Sequence, residues 1–146
     1  MRITRETDYA IRAVLYLSEK SNKSISVTEL HEKLDIPKTF LAKILQKLNR
    51  IGILESSRGV SGGFKLAKPP SKISLYDVVH AIQGEVIVNQ CAVDGEICSR
   101  KEICSVHPVW RKIEAMIIRE LKTVNFSTLA QNGYKNTVQA LPNREV

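Results

Sequence analysis

Apolar positions along the chain fall into helix-period stripes interrupted by one alternating stretch, and this order already outlines an architecture. From about Thr7 to Lys20 the residues Ile11, Val14, Leu15 and Tyr16 crowd together, which predicts a helix buried over much of its circumference. Ser26-Val27-Thr28-Glu29 reads as a capping box, the serine hydroxyl and the Glu29 carboxylate each answering an amide left free at a helix start. The short helix it opens sets Val27, Leu30 and Leu34 on one face. It stops at Asp35-Ile36-Pro37, because proline disfavours helical backbone in the residue before it and can itself begin a new helix.

Phe40, Leu41, Ile44, Leu45 and Leu48 then repeat at helical spacing as far as Gly52, a C-terminal stop. The opposite face of this segment carries Lys38, Thr39, Lys43, Gln46, Lys47 and Arg50. Two short helices joined by a tight turn, the second apolar inside and basic outside, form a helix-turn-helix pattern. Residues 53–58 and 64–67 flank Gly59-Val60-Ser61-Gly62-Gly63 and predict a β-hairpin with a glycine-rich tip, whose glycines would let it approach a ligand closely. The tip has neither the spacing nor the strand-to-helix setting of a phosphate-binding loop. The expected fold is mainly α with a small β-hairpin wing: a winged helix-turn-helix over residues 1–70.

Past Pro69-Pro70 the organisation changes. Ser74-Leu75-Tyr76-Asp77 is a second capping-box-like start, and Leu75, Val78, Val79 and Ile82 line a short helix ending near Gly84. Residues 71–90 thus form a connecting helix and lead-in, and 91–107 lack periodicity. Pro108 opens a longer helix, expected over 108–127, with Trp110, Ile113, Ile117, Leu121 and Val124 as an apolar stripe. A stripe that long beside a domain with its own core predicts packing against a second copy, with packing onto the first helix as the alternative. Residues 128–146 read as a C-terminal tail, frayed from Tyr134 onward.

Charge turns this outline toward a polyanion. The formal net charge is +7, and residues 37–70 hold seven basic side chains against Glu55 alone, so nearly all of the excess lies in one quarter of the chain. Helical phase makes Thr39, Lys43 and Gln46 the candidates for base edges in a major groove. Lys47 and Arg50 are the candidates for phosphates, Lys38 completes the DNA-binding face, and Arg58 at the wing suits a minor groove or the backbone. No apolar run approaches a membrane span, and the charged start is unlike a signal peptide, so a cytoplasmic protein with no membrane partner is expected.

The sulfur is equally localised. All three cysteines and one histidine fall in seventeen residues as Cys91-x6-Cys98-x5-Cys104-x2-His107. Thiolates are soft ligands that select zinc, cuprous copper or iron–sulfur clusters, and thiols in the cytoplasm stay reduced, so the spacing points to a metal site more than to disulfides. Zinc or unmetallated redox-sensing thiols are alternatives, although the usual C-x2-C knuckles are missing. Cys104 and His107 as nucleophile and base would need an orienting third group or an oxyanion motif, and none is apparent, so the chain is not expected to be an enzyme.

The opening Met1-Arg2-Ile3-Thr4-Arg5-Glu6-Thr7-Asp8-Tyr9-Ala10, the segments 40–45, 48–52 and 58–66, and the run from the cysteine loop into His107-Pro108-Val109-Trp110-Arg111 resemble the Rrf2 family of winged-helix iron–sulfur regulators, the IscR, NsrR and RirA type. The resemblance covers about residues 1–130. It implies a homodimeric transcription factor, a repressor in our reading, on a palindromic operator in double-stranded DNA. It also implies an iron–sulfur cluster on Cys91, Cys98 and Cys104 that senses iron or cluster status, redox state or nitric oxide. IscR-like members hold [2Fe–2S] with a histidine that His107 matches; NsrR-like members hold [4Fe–4S] with a first-helix aspartate that Asp8 matches. We place His107 and [2Fe–2S] ahead of Asp8 and [4Fe–4S], while for each residue a structural role competes: His107 capping the helix that follows it, Asp8 stabilising the start of the first helix.

Overall fold

The computed structural model describes residues 1–20, 23–89, 98, 100 and 102–132. Six helices and one hairpin lie within them: α1 Arg5–Ser18, α2 Val27–Leu34, α3 Lys38–Arg50, β1 Leu54–Ser57, β2 Gly63–Leu66, α4 Leu75–Gln83, α5 His107–Thr123 and α6 Phe126–Asn132, with a single 3-10 turn at Pro70–Lys72. Cys91 and the tail from Tyr134 lie outside the described residues. The expected class holds: a mainly helical chain with one two-stranded antiparallel wing.

The first three helices and the wing share one core. Ala10, Ala13, Val14 and Leu17 of α1, Leu30 of α2, and Leu41, Ile44, Leu45 and Leu48 of α3 are all buried, together with Ile36, Ile53, Leu54 and Ile73. Each such aliphatic chain contributes roughly 1.5–3 kcal/mol on leaving water. The four on α3 therefore fix the rotation of that helix about its axis, and its polar face is turned outward by default.

Local signals explain the element ends. Thr4 caps α1 by accepting from the Thr7 amide, so the helix starts two residues before the expected Thr7. Ser26 accepts from the Glu29 amide, but the capping box expected there is only half formed: the Glu29 carboxylate accepts instead from the Tyr16 hydroxyl at 3.1 Å, which ties α2 to α1. The box at Ser74 and Asp77 is complete, and α4 ends at Gly84 with φ +82°, a backbone value that suits glycine. Asp35 ends α2 in the left-handed region, and Pro37 precedes α3.

Two sequence expectations are corrected. Phe40 belongs to the exterior, at 56% exposure, not to the inner stripe of α3. At about 100° per residue, Leu41, Ile44, Leu45 and Leu48 fill an arc of about 100°, and Phe40 falls about 40° beyond its edge, between Ile44 and Lys47. The long C-terminal helix ends at Thr123, so Val124 lies past its end. The chain then turns at Val124 and Asn125, where the Leu75 amide donates to the Val124 carbonyl at 2.8 Å and the Phe126 amide to that of Ile73 at 3.0 Å. Asn125 opens α6 by accepting from the Thr128 amide, and Phe126, fully buried, returns the chain to the core beside α1.

Candidate nucleic-acid interface and metal centre

Lys38, Thr39, Lys43, Gln46, Lys47 and Arg50 are all exposed on α3, as their phase predicts. Thr39, Lys43, Gln46 and Arg50 lie within about 30° of the line opposite the buried arc, while Lys38 and Lys47 flank it. The flanking lysines are already engaged. Lys38 donates to the Thr28 hydroxyl at 2.7 Å, and Lys47 pairs with Glu6 of α1. The Lys47–Glu6 pair was not legible in the sequence, since its members are far apart along the chain and neither belongs to a motif.

The wing stands beside this face. β1 and β2 pair in register from Leu54↔Leu66 to Ser57↔Gly63, and Arg58 is exposed at the turn. Lys65 pairs with Glu55 across the strands at 2.8 Å. The tip-side half of β2 is fastened to the segment before α2 by reciprocal bonds between Ile25 and Phe64, both 2.9 Å. Two tip glycines serve a purpose the sequence did not disclose. A Cβ on Gly63 would lie 2.3 Å from the Ile25 carbonyl oxygen, and one on Gly62 would lie 2.6 Å from that of Ser57, so both allow the chain to approach itself. Gly59, with φ +105° and open space around its missing Cβ, is the tip glycine required by backbone conformation.

Of the candidate ligands, Cys98 is exposed, Cys104 is half-buried and Cys91 lies outside the described residues. His107 is the first residue of α5, and its amide donates to the Cys104 carbonyl at 3.3 Å, which sets the two residues one turn apart. The His107 Nδ1 is buried and has no hydrogen-bond partner among the described residues. It therefore caps no amide, and Val106, at the N-cap position of α5, makes no side-chain cap hydrogen bond. Asp8 is exposed in the first turn of α1, with Arg12 3.8 Å away. Among the described residues no three His, Cys, Asp or Glu side chains stand together as a metal-holding group.

One network joins α4 to the start of α1. The Gln83 Oε1, on the last residue of α4, accepts from the Thr7 hydroxyl at 2.8 Å and the Thr4 amide at 3.3 Å, and Thr7 is fully buried. Glu6, the partner of Lys47, belongs to the same turn. On α5, which packs on α4, no residue is fully buried. Trp110, Ile113, Ile117 and Leu121 are half-buried, and Val109 and Met116 are exposed at 50% and 61%. No helix among the described residues is long and apolar enough to cross a membrane.

Known proteins share this fold. The chain is 35% identical over 113 residues to protein aau3 of Rhizobium meliloti, covering 77% of this chain and 73% of that one. Its fold resembles the global cysteine regulator CymR of B. subtilis, with a TM-score of 0.74 at 19% identity over 90% of this chain and 98% of the other. It equally resembles IscR of T. potens, with a TM-score of 0.72 at 18% identity over 98% and 94%. The model of the Rrf2 family, described as an iron-dependent transcriptional regulator, matches residues 3–132. A winged helix with a basic outer face, matched by that model over nearly its whole described length, makes this chain a member of the Rrf2 family of DNA-binding transcriptional regulators, and not an enzyme.

Proposed function

We propose that the chain works in the cytoplasm as a homodimeric repressor whose affinity for a palindromic operator follows an iron–sulfur cluster held by Cys91, Cys98, Cys104 and His107. The observation that carries this reading is the buried Nδ1 of His107, which has no partner among the described residues and lies one turn from Cys104. A buried ring nitrogen without a partner is costly, and coordination would satisfy it, whereas Asp8 is exposed and in water. Three thiolates and an imidazole suit an iron–sulfur site, [2Fe–2S] in our reading. When bound, the cluster supplies a group sensitive to iron, oxygen and nitric oxide, and histidine ligation raises its reduction potential relative to all-cysteine sites.

In the dimer the half-exposed stripe of Trp110, Ile113, Ile117 and Leu121 meets its copy, and the two α3 helices enter successive major grooves. Thr39, Lys43 and Gln46 meet base edges, Lys38, Lys47 and Arg50 meet phosphates, and Arg58 reaches the minor groove or the backbone. The end of α4, ahead of the ligand loop in the chain, is joined to α3 by a short series of contacts. Gln83 grips Thr4 and Thr7, and Glu6 in that turn holds Lys47. The cluster alters DNA affinity only as far as it binds the two conformations of the protein differently.

Anaerobic purification followed by an absorption spectrum tests the cofactor. A broad visible band that vanishes in Cys98→Ala, together with loss of iron-dependent operator binding, is the expected result. A colourless protein carrying zinc, or one with reactive thiols and no metal, would replace this reading with the corresponding regulator. Survival of both cluster content and iron response in Cys98→Ala would sink it.

A further inference from the structure

We propose that Phe40 is a sequence-determining residue of the DNA interface and reads the 5-methyl group of a thymine in each half-site. The inference rests on the reading of α3 as the helix that enters the major groove. A single exposed phenylalanine is ordinary on a protein surface. Its place is what gives this one meaning: it sits 56% exposed in the first turn of α3, beside Lys47 and one residue after Thr39.

The remaining exposed groups on that helix are cationic or hydrogen-bonding: Lys38, Thr39, Lys43, Gln46, Lys47 and Arg50. Such groups answer phosphates and the polar edges of purines and cytosine. The thymine methyl is the one apolar feature of the major groove, and phenylalanine is among the side chains that contact it. That methyl lies at the side of the groove floor, close to its own strand. Phe40 lies on the flank of the outward face, about 90° from its centre, where a groove-lying helix meets the side of the floor. The N-terminal residues of a recognition helix are those that contact bases, which favours position 40 over the later turns. Electrostatics then brings the duplex to this patch, since residues 37–70 carry seven basic side chains against one acidic.

The full-length wild type, Phe40→Ala and Gln46→Ala are each used to select binders from a pool of random-sequence duplex DNA. Wild type should enrich a thymine at one symmetric position, and Phe40→Ala should lose that preference while keeping the others. Replacing the thymine by deoxyuridine, which removes only the methyl, should weaken wild type about fourfold and leave Phe40→Ala unchanged. Because the ring is exposed, thermal melting of Phe40→Ala should match wild type. An unchanged motif in Phe40→Ala with an altered one in Gln46→Ala would overturn the proposal alone. Uniformly weaker binding of all sequences by Phe40→Ala, or no cost from deoxyuridine, would also overturn it. If neither variant changes the motif, the placement of α3 in the groove fails and this inference with it.

Discussion

Gly63→Ala places one methyl group where the wing meets the segment before α2. Its Cβ would lie 2.3 Å from the Ile25 carbonyl oxygen and 2.9 Å from the Ser26 nitrogen, both backbone atoms that cannot rotate away. The wing must move outward, and two bonds are at stake: Ile25 N–H to the Phe64 carbonyl and Phe64 N–H to the Ile25 carbonyl, each 2.9 Å. Losing both costs about 2 kcal/mol at about 1 kcal/mol each, and residual crowding adds about 1–3 kcal/mol. The sum, about 3–5 kcal/mol, is a large share of the stability of a domain this size. Urea unfolding of Gly63→Ala should show that loss through a lower midpoint at unchanged slope. Operator affinity should fall as well, since Arg58 moves with the wing. The control is Gly59→Ala, where a Cβ meets nothing within 4 Å and only the φ of +105° resists. If Gly63→Ala stays within about 0.5 kcal/mol of wild type, the glycine is not there for packing and the reasoning is wrong.

Glu6→Gln removes the carboxylate that holds Lys47 and frees this lysine for a phosphate. Operator affinity should rise, because the carboxylate no longer competes with a DNA phosphate for Lys47; an unchanged affinity across a salt titration would show that Lys47 never reaches DNA. Phe126→Ala empties a fully buried site where α6 joins the core beside α1. It should destabilise the protein by about 3–5 kcal/mol in thermal or urea unfolding, whereas a loss below about 1 kcal/mol would mean that α6 is not anchored there.

The DNA-facing side chains were legible for a geometric reason. Helical phase is local, so once Leu41, Ile44, Leu45 and Leu48 declare the inner arc of α3, the positions of Thr39, Lys43, Gln46 and Arg50 follow from residue number alone. Phe40 escaped because hydropathy says what a side chain prefers, while exposure depends on whether a neighbour arrives to cover it. The Ser26 box was read correctly as a helix start and wrongly as reciprocal, because Glu29 had a second suitor in Tyr16, thirteen residues away. Asn125 and Thr128 did hold a readable start signal for α6, an Asx side chain ahead of a hydroxyl residue. The apolar stripe running on into Val124 obscured it.

Sequence alone determined the order of elements as far as α5, the winged helix, the basic quarter of the chain and the clustering of thiols before α5, but not the break at Val124 or α6, since each of the former depends on residues within a few turns of one another. Tertiary structure alone decided which charges are spoken for. It set Glu6 against Lys47, bound Gln83 to Thr4 and Thr7, and left the His107 Nδ1 buried with no partner among the described residues. Most of these pairings bring together side chains tens of residues apart, and the energy that does so is the burial of the core between them, which no local pattern records.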